Sequence, residues 1–239
     1  MPMSNTEPAQ LASRVVYEDN HLIVVNKLPG ELVQGDATGD EPLLEKTRRY
    51  IGWKHQKPGN VFCGLVHRLD RPTSGLVVMA RTSKALTRMN KLFQQRGVQK
   101  WYYAVTAIKP DPPEGLLSHY LRKNARQNKS YAVSPRAAGA KEARLSYRYL
   151  ASSERYHLLQ VELHTGRHHQ IRAQLAALGA PIQGDLKYGF PRSNKDGSIS
   201  LHAGKLQFVH PVKQESIDLS VGSLSSLKVW RMFNVKFTA

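Results

Sequence analysis

One carboxylate in this chain is fenced by arginines: His67-Arg68-Leu69-Asp70-Arg71-Pro72-Thr73-Ser74-Gly75. It lies between two apolar runs, Phe62 to Val66 and Leu76 to Ala80, and so reads as a loop carried by two strands. Loops on a rigid scaffold are where reactive groups concentrate. Pro72 fixes backbone geometry, and Thr73 and Ser74 supply local hydrogen bonds. Flanking cations favour the charged carboxylate that a nucleophile or base requires. A salt-bridged surface turn would have the same composition, and spacing alone does not separate the two.

A second segment is His164-Thr165-Gly166-Arg167-His168-His169-Gln170-Ile171-Arg172. Thr165 and Gly166 are expected to start a helix whose positive end, with Arg167, suits an anion. Arg172 then lies one turn inside, able to project toward a carboxylate or phosphate. The three histidines invite a metal reading. Thr165-Gly166 places His164 on the preceding strand, however, which spoils the helical i, i+4 spacing, and no carboxylate completes a zinc pattern. No metal and no cofactor are expected. The third segment, Lys100-Trp101-Tyr102-Tyr103, alternates aromatics along a strand. Such residues pack across strands in most sheets, but a tyrosine face also stacks on a base drawn out of an RNA helix.

These segments need a scaffold. A buried strand is expected at His21 to Asn26, a loop from Leu28 to Asp40 and a helix from Leu43 to Tyr50. A helix capped by Thr82 or Ser83 carries Ala85, Leu86, Met89, Leu92 and Phe93 at helical spacing and ends near Gly97. A strand from Trp101 to Ile108 follows, then a basic, Gly/Pro-punctuated region from Lys109 to Lys141. Alternation returns at Ala143 to Tyr149 and Leu158 to His164. A helix runs from about His168 to Leu178 and stops at Gly179, and further strands are expected at Leu206 to Val209 and toward the C-terminus. Strands dominate with few inserted helices, which argues for an α+β fold. Residues 1–13 read as a disordered tail and 14–239 as one domain.

The 239 residues hold 35 Lys and Arg against 18 Asp and Glu, a formal net charge of +17. The excess is uneven: residues 1–50 carry five basic and eight acidic side chains. Such a surface favours a polyanion, because each cation placed on a phosphate releases counterions. An anionic membrane would instead call for a basic amphipathic helix, and none is evident. With no apolar run long enough to span a bilayer and no secretion signal, a cytoplasmic protein is expected. The single cysteine, Cys63, sits in an apolar run and reads as a buried small hydrophobe.

Together the motifs resemble the RluA-type pseudouridine synthases, over nearly the whole chain. Tyr17 to Lys27 looks like that family's opening strand, and His67-Arg68-Leu69-Asp70 with Thr73-Ser74-Gly75 like its signature. Lys100-Trp101-Tyr102 and Gly166 to Arg172 look like its second and third motifs. Leu201-His202-Ala203 with Leu206 to Pro211 resembles its closing one. The resemblance implies a mixed, mainly antiparallel sheet with flanking helices around a central cleft. It implies isomerisation of selected uridines in structured ribosomal or transfer RNA, by a form without the S4-type RNA-binding domain of longer members.

Residue by residue, the resemblance makes Asp70 the catalytic aspartate, Tyr102 the residue that stacks on the target base, and Arg172 the arginine paired with the aspartate. Arg68 matches a position that helps fill the gap left by the flipped base, and Leu201 an apolar pocket residue. His67, Arg71, Thr73, Arg167, His169 and Ile171 are expected to line the substrate site. One departure is Lys27-Leu28-Pro29-Gly30, where many relatives place proline directly after lysine. RNA docking is expected on the basic stretches 81–100 and 122–148, and the protein to be a monomer. The competing reading is an RNA-binding protein that kept the fold without the reaction.

Overall fold

A computed structural model describes residues 6–223 and 227–233. The backbone is organised by one mixed sheet. In chain order its strands are β1 (Val15–Glu18), β2 (Leu22–Lys27), β3 (Gly64–Leu65), β4 (Ser74–Ala80), β5 (Val98–Thr106) and β6 (Glu114–Asn124). They continue with β7 (Lys129–Val133), β8 (Lys141–Ser152), β9 (His157–Leu163), β10 (Leu201–Val209) and β11 (Ser216–Ser220). The sheet order is β1-β2-β4-β10-β5-β9-β8-β6-β7, with β3 beside β4 and β11 beside β10. All its named strand pairs are antiparallel except β4 with β10, which runs parallel through Ser74 and Gly75 against His202 and Ala203. This is the α+β architecture that the strand-rich sequence implies.

Period-two alternation divides β2 and β4 between two cores. Ile23, Val25, Val77 and Met79 face the side that also holds Tyr102, Ala104, Ile171 and Leu175. Leu22, Val24, Leu76, Val78 and Ala80 face the other side, against Ala85 and Met89 of helix α3 (Ser83–Gln94). Burial on both faces explains why these strands read as unbroken apolar runs. Thr82 caps α3 by accepting from the Ala85 N–H, an interaction of about 1 kcal/mol. At the other end the left-handed residue is Arg96 (φ 60°), one position before the expected Gly97. Gly97 takes the next position, where its N–H reaches the Leu92 carbonyl.

Several expectations change. The stretch read as a disordered tail contains helix α1 (Thr6–Ala12), because Leu11 is buried in the core next to helix α2 (Leu43–Lys54); residues 1–5 lie outside the described residues. Of the run Phe62 to Val66, only Gly64 and Leu65 pair as strand. The basic region 109–141 holds β6 and β7, a hairpin whose exposed polar residues hide its alternation. Past β11 the chain forms a short helix, α5 (Lys228–Arg231), where a strand was expected, and residues 234–239 lie outside the described set. No described helix is long and apolar enough to cross a membrane.

Candidate active site

The site lies where β4, β5 and β10 meet helix α4 (Gln170–Ala177). Asp70 sits on the loop that enters β4. The loop closes as a turn, Thr73 N–H to Asp70 carbonyl at 3.0 Å, and is tied down at both flanks. Gly30 N–H donates to the Arg71 carbonyl at 2.8 Å, and Ile199 N–H to the Pro72 carbonyl at 3.2 Å. Beneath it the fully buried Lys27 donates to the carbonyls of Leu28 (2.9 Å) and Arg71 (3.1 Å). Burial lowers the Lys27 pKa to about 7, against the nearby charges of Glu31 and Asp70.

Arg172 projects from the first turn of α4 and spans two carboxylates. Its Nε and Nη2 donate to Asp185 at 2.7 and 2.9 Å, and its Nη1 to Asp70 Oδ2 at 3.2 Å. Burial works against the guanidinium charge, but hydrogen bonds to Asp185 and the charges of Asp185 and Asp70 raise its pKa above the ordinary value. Its face lies 5.0 Å from the centre of the Tyr188 ring. The fork is therefore fixed in plane as well as in charge.

Tyr102 points to the same place from β5. Its ring is buried, and burial together with the charge of Asp70 pushes the phenol pKa well up, so the hydroxyl keeps its proton. Neighbouring Tyr103 turns to the opposite face, into the cluster with Val229 and Trp230. Composition could not tell the two apart; strand alternation in the folded sheet does.

A cavity of about 120 Å³ connects these groups and is lined in part by Asp70, Thr73, Tyr102, Ile171, Arg172 and Leu201. An apolar cavity of about 150 Å³ holds a benzene ring, so this one is sized for a single planar heterocycle. It opens next to a cleft of about 700 Å³ bordered by Arg68, Lys123, Arg167 and Lys187. Arg68 is exposed at the cleft edge and reaches Gln34 only at 3.4 Å.

Other expected site residues stand around the cleft with their polar groups engaged by protein partners. Arg71 turns outward to the Gly30 carbonyl and Asp40. His67 stacks on Phe93 (5.0 Å) and its Nε2 accepts the Val78 N–H, so it braces the wall of the cleft; burial and the charge of Lys100 lower its pKa to about 3. Arg167 borders the cleft, but its Nε is held by the Glu142 carbonyl at 2.8 Å. The helix begins at Gln170, later than the Thr165-Gly166 start expected. Gln170 itself organises the turn, its Oε1 accepting from Thr165 Oγ1 (2.7 Å) and Arg167 N–H (2.9 Å). Among the described residues no cluster of three or more His, Cys, Asp or Glu side chains is arranged to hold a metal.

His169 just before α4 adopts the left-handed conformation (φ 53°), a costly choice outside glycine that turns its ring inward. Its Nε2 lies 3.6 Å from Asp70 Oδ2 and its Nδ1 3.0 Å from the Tyr188 hydroxyl. Burial, then the charge of Arg172, lowers its pKa to about 2, so the ring is neutral. Asp185, Tyr188, Lys27 and Ser130, which donates its N–H to the Tyr188 oxygen at 2.8 Å, were missed in the sequence. Lys27 closes the opening-strand motif but was given no role there, and the other three belong to no recognisable spacing. The one available signal was the Gly184-Asp185 pair, which marks a turn and nothing more.

Residues 21–177 match the family described as RNA pseudouridylate synthase. The chain belongs to that family. It is 32% identical over 217 residues to the ribosomal large subunit pseudouridine synthase C of Vibrio cholerae, covering 88% of this chain and 66% of that one. It is 29% identical to the ribosomal large subunit pseudouridine synthase D of Zymomonas mobilis, covering 90% of this chain and 70% of the relative. The chain thus spans about two thirds of the length of these curated relatives. Among solved structures, human RNA pseudouridylate synthase domain containing 4 superposes with a TM-score of 0.77 at 25% identity, covering 93% of both chains. The RNA pseudouridylate synthase family is the one that the motifs around Asp70, Tyr102 and Arg172 resemble.

Proposed function

We propose that this protein converts specific uridines in structured RNA to pseudouridine, with Asp70 as the catalytic carboxylate. The observation that carries the reading is the meeting of Asp70, Arg172 and Tyr102, from three separate stretches of sequence, at one ring-sized cavity. The reaction is an isomerisation. The bond from ribose C1′ to uracil N1 breaks, C1′ bonds to C5, the C5 hydrogen leaves and N1 gains one. No co-reactant is consumed, in keeping with the site's lack of a second carboxylate placed to activate water, as hydrolysis of a glycosidic bond would need. Asp185 does not fill that role, since Arg172 occupies both its oxygens.

Uridine inside a helix is out of reach, so the base must turn out of its stack. Tyr102 offers the turned-out base a protonated, buried ring, Leu201 and Ile171 an apolar wall, and Arg68 a cation at the entrance. Arg172 keeps Asp70 oriented in the cavity. Arg71, His67 and Arg167 act in this reading as braces for the loop and cleft. The names of the relatives favour ribosomal RNA over transfer RNA as substrate, and action on such RNA by a monomer in the cytoplasm completes the proposal.

Asp70→Asn tests it. The variant is expected to form no pseudouridine in a large-subunit ribosomal RNA transcript while binding that transcript within a few-fold of the parent. Turnover retained in the variant removes Asp70 from the chemistry. A chain that binds the transcript but never modifies it, in parent and variant alike, favours the non-catalytic alternative.

A further inference from the structure

Both side chains that approach Asp70 address the same atom. Arg172 Nη1 lies 3.2 Å from Oδ2, and His169 Nε2 lies 3.6 Å from Oδ2. The second distance exceeds a hydrogen bond, and contacts between catalytic groups commonly tighten in the substrate complex. On the far side of the imidazole the order of donors is fixed from the backbone inward. Ser130 N–H can only donate, so the Tyr188 oxygen accepts it at 2.8 Å. With that acceptor position filled, the Tyr188 hydrogen can point to its other partner, His169 Nδ1, at 3.0 Å. A ring that accepts at Nδ1 carries its proton on Nε2, the nitrogen facing the carboxylate.

From this geometry, and resting on the pseudouridine reading of the site, we propose that His169 is a positioning residue: Ser130 and Tyr188 lock its ring in the Nε2–H tautomer, which with Arg172 holds Oδ2 and leaves Oδ1 as the reacting oxygen of Asp70. A neutral donor suits the task. A second cation beside Arg172 would compete for Asp185 and Asp70, and burial disfavours it, whereas an imidazole N–H orients the carboxylate without adding charge. The left-handed backbone at position 169 is what turns the ring between Tyr188 and Asp70, and the stacked ring of His168, 3.7 Å away, holds its plane. The arrangement links the loop bearing Asp70 to β7 through Ser130.

Long-range nitrogen–proton correlation on protein labelled at histidine nitrogen reads the tautomer directly, with His169→Gln to assign the signals. The parent is expected to show a bare Nδ1 and a protonated Nε2 at position 169. Tyr188→Phe keeps the ring beneath Arg172 and removes only the hydroxyl. That variant is expected to lose the fixed tautomer and about tenfold in kcat, the value of one charge-directed hydrogen bond, with KM nearly unchanged. Turnover is followed as tritium released from a large-subunit ribosomal RNA transcript made with uridine tritiated at C5. A proton on Nδ1 in the parent overturns the proposal, as does a Tyr188→Phe variant with unaltered kcat. An inactive parent counts against the pseudouridine reading, while the tautomer is still decided by the protein spectrum alone.

Discussion

At the scale of single residues, the site is a chain of donors aimed at one carboxylate. Arg172 is its pivot, and Asp185 sets the pivot's angle through two hydrogen bonds in a nearly dry environment. Removing the Asp185 charge leaves Arg172 with Asp70 as its remaining carboxylate, so the expected cost is that of a buried charge-assisted hydrogen bond, about 1.5–3 kcal/mol. Asp185→Asn is therefore expected to lower the melting temperature and to reduce kcat much more than KM, because Arg172 would no longer be held toward Asp70. Thermal unfolding and steady-state kinetics check it; an unaltered melting curve would mean that Asp185 does not carry the arginine. Asp70, Tyr102 and Arg172 could be named as candidates from the sequence because each stands within a contiguous motif. Asp185, Tyr188 and Ser130 were not, since each matters only through partners far away in the chain that folding brings close.

At the scale of elements, the loop bearing Asp70 passes into β4 at Gly75, where the backbone takes φ +117° and lies directly against Ala203 of β10. A methyl group at this position would overlap the Ala203 amide and carbonyl, and those atoms belong to a strand with no room to retreat. Gly75→Ala is expected to destabilise the protein by about 2–4 kcal/mol and to abolish activity by splaying β4 from β10. Denaturant unfolding measures the first effect, and a variant as stable as the parent would refute the packing argument. The strands and helices with strong apolar periodicity, β2, β4 and α3, were readable before folding. The β6–β7 hairpin was not, because both its faces carry polar and charged side chains and its partner strand β8 lies further along the chain.

For the molecule as a whole, the charge of +17 is not spread at random. The 81–100 stretch read as an RNA-docking surface divides: Arg81 is buried against Glu18 at 2.9 Å, whereas Lys100 turns into the cleft. Arg68 and Lys123 border the same cleft from opposite halves of the sheet. If they contact phosphates, the affinity for an RNA transcript falls steeply with salt, and the Arg68→Ala, Lys123→Ala double variant flattens the log–log slope by about 1 to 2. Filter binding across a salt series measures it. An identical slope in the double variant would move docking to another face. Charge asymmetry along the sequence pointed to nucleic acid, but which cations face it depends on sheet order, which composition does not encode.

The place of β10 has a consequence for synthesis. Among the described strands, β1, β2, β3 and β4 join β5 through β9 only across β10, whose first residue is Leu201. Asp70 rides on one side of that seam, while Tyr102 and Arg172 ride on the other. A ribosome that has released residues 1–200 has already made every member of the trio, yet the strand that closes the gap between them is still unmade. A nonsense codon just short of position 201 would thus yield a polypeptide that keeps Asp70, Tyr102 and Arg172 but lacks the strand that joins the two parts of the sheet carrying them.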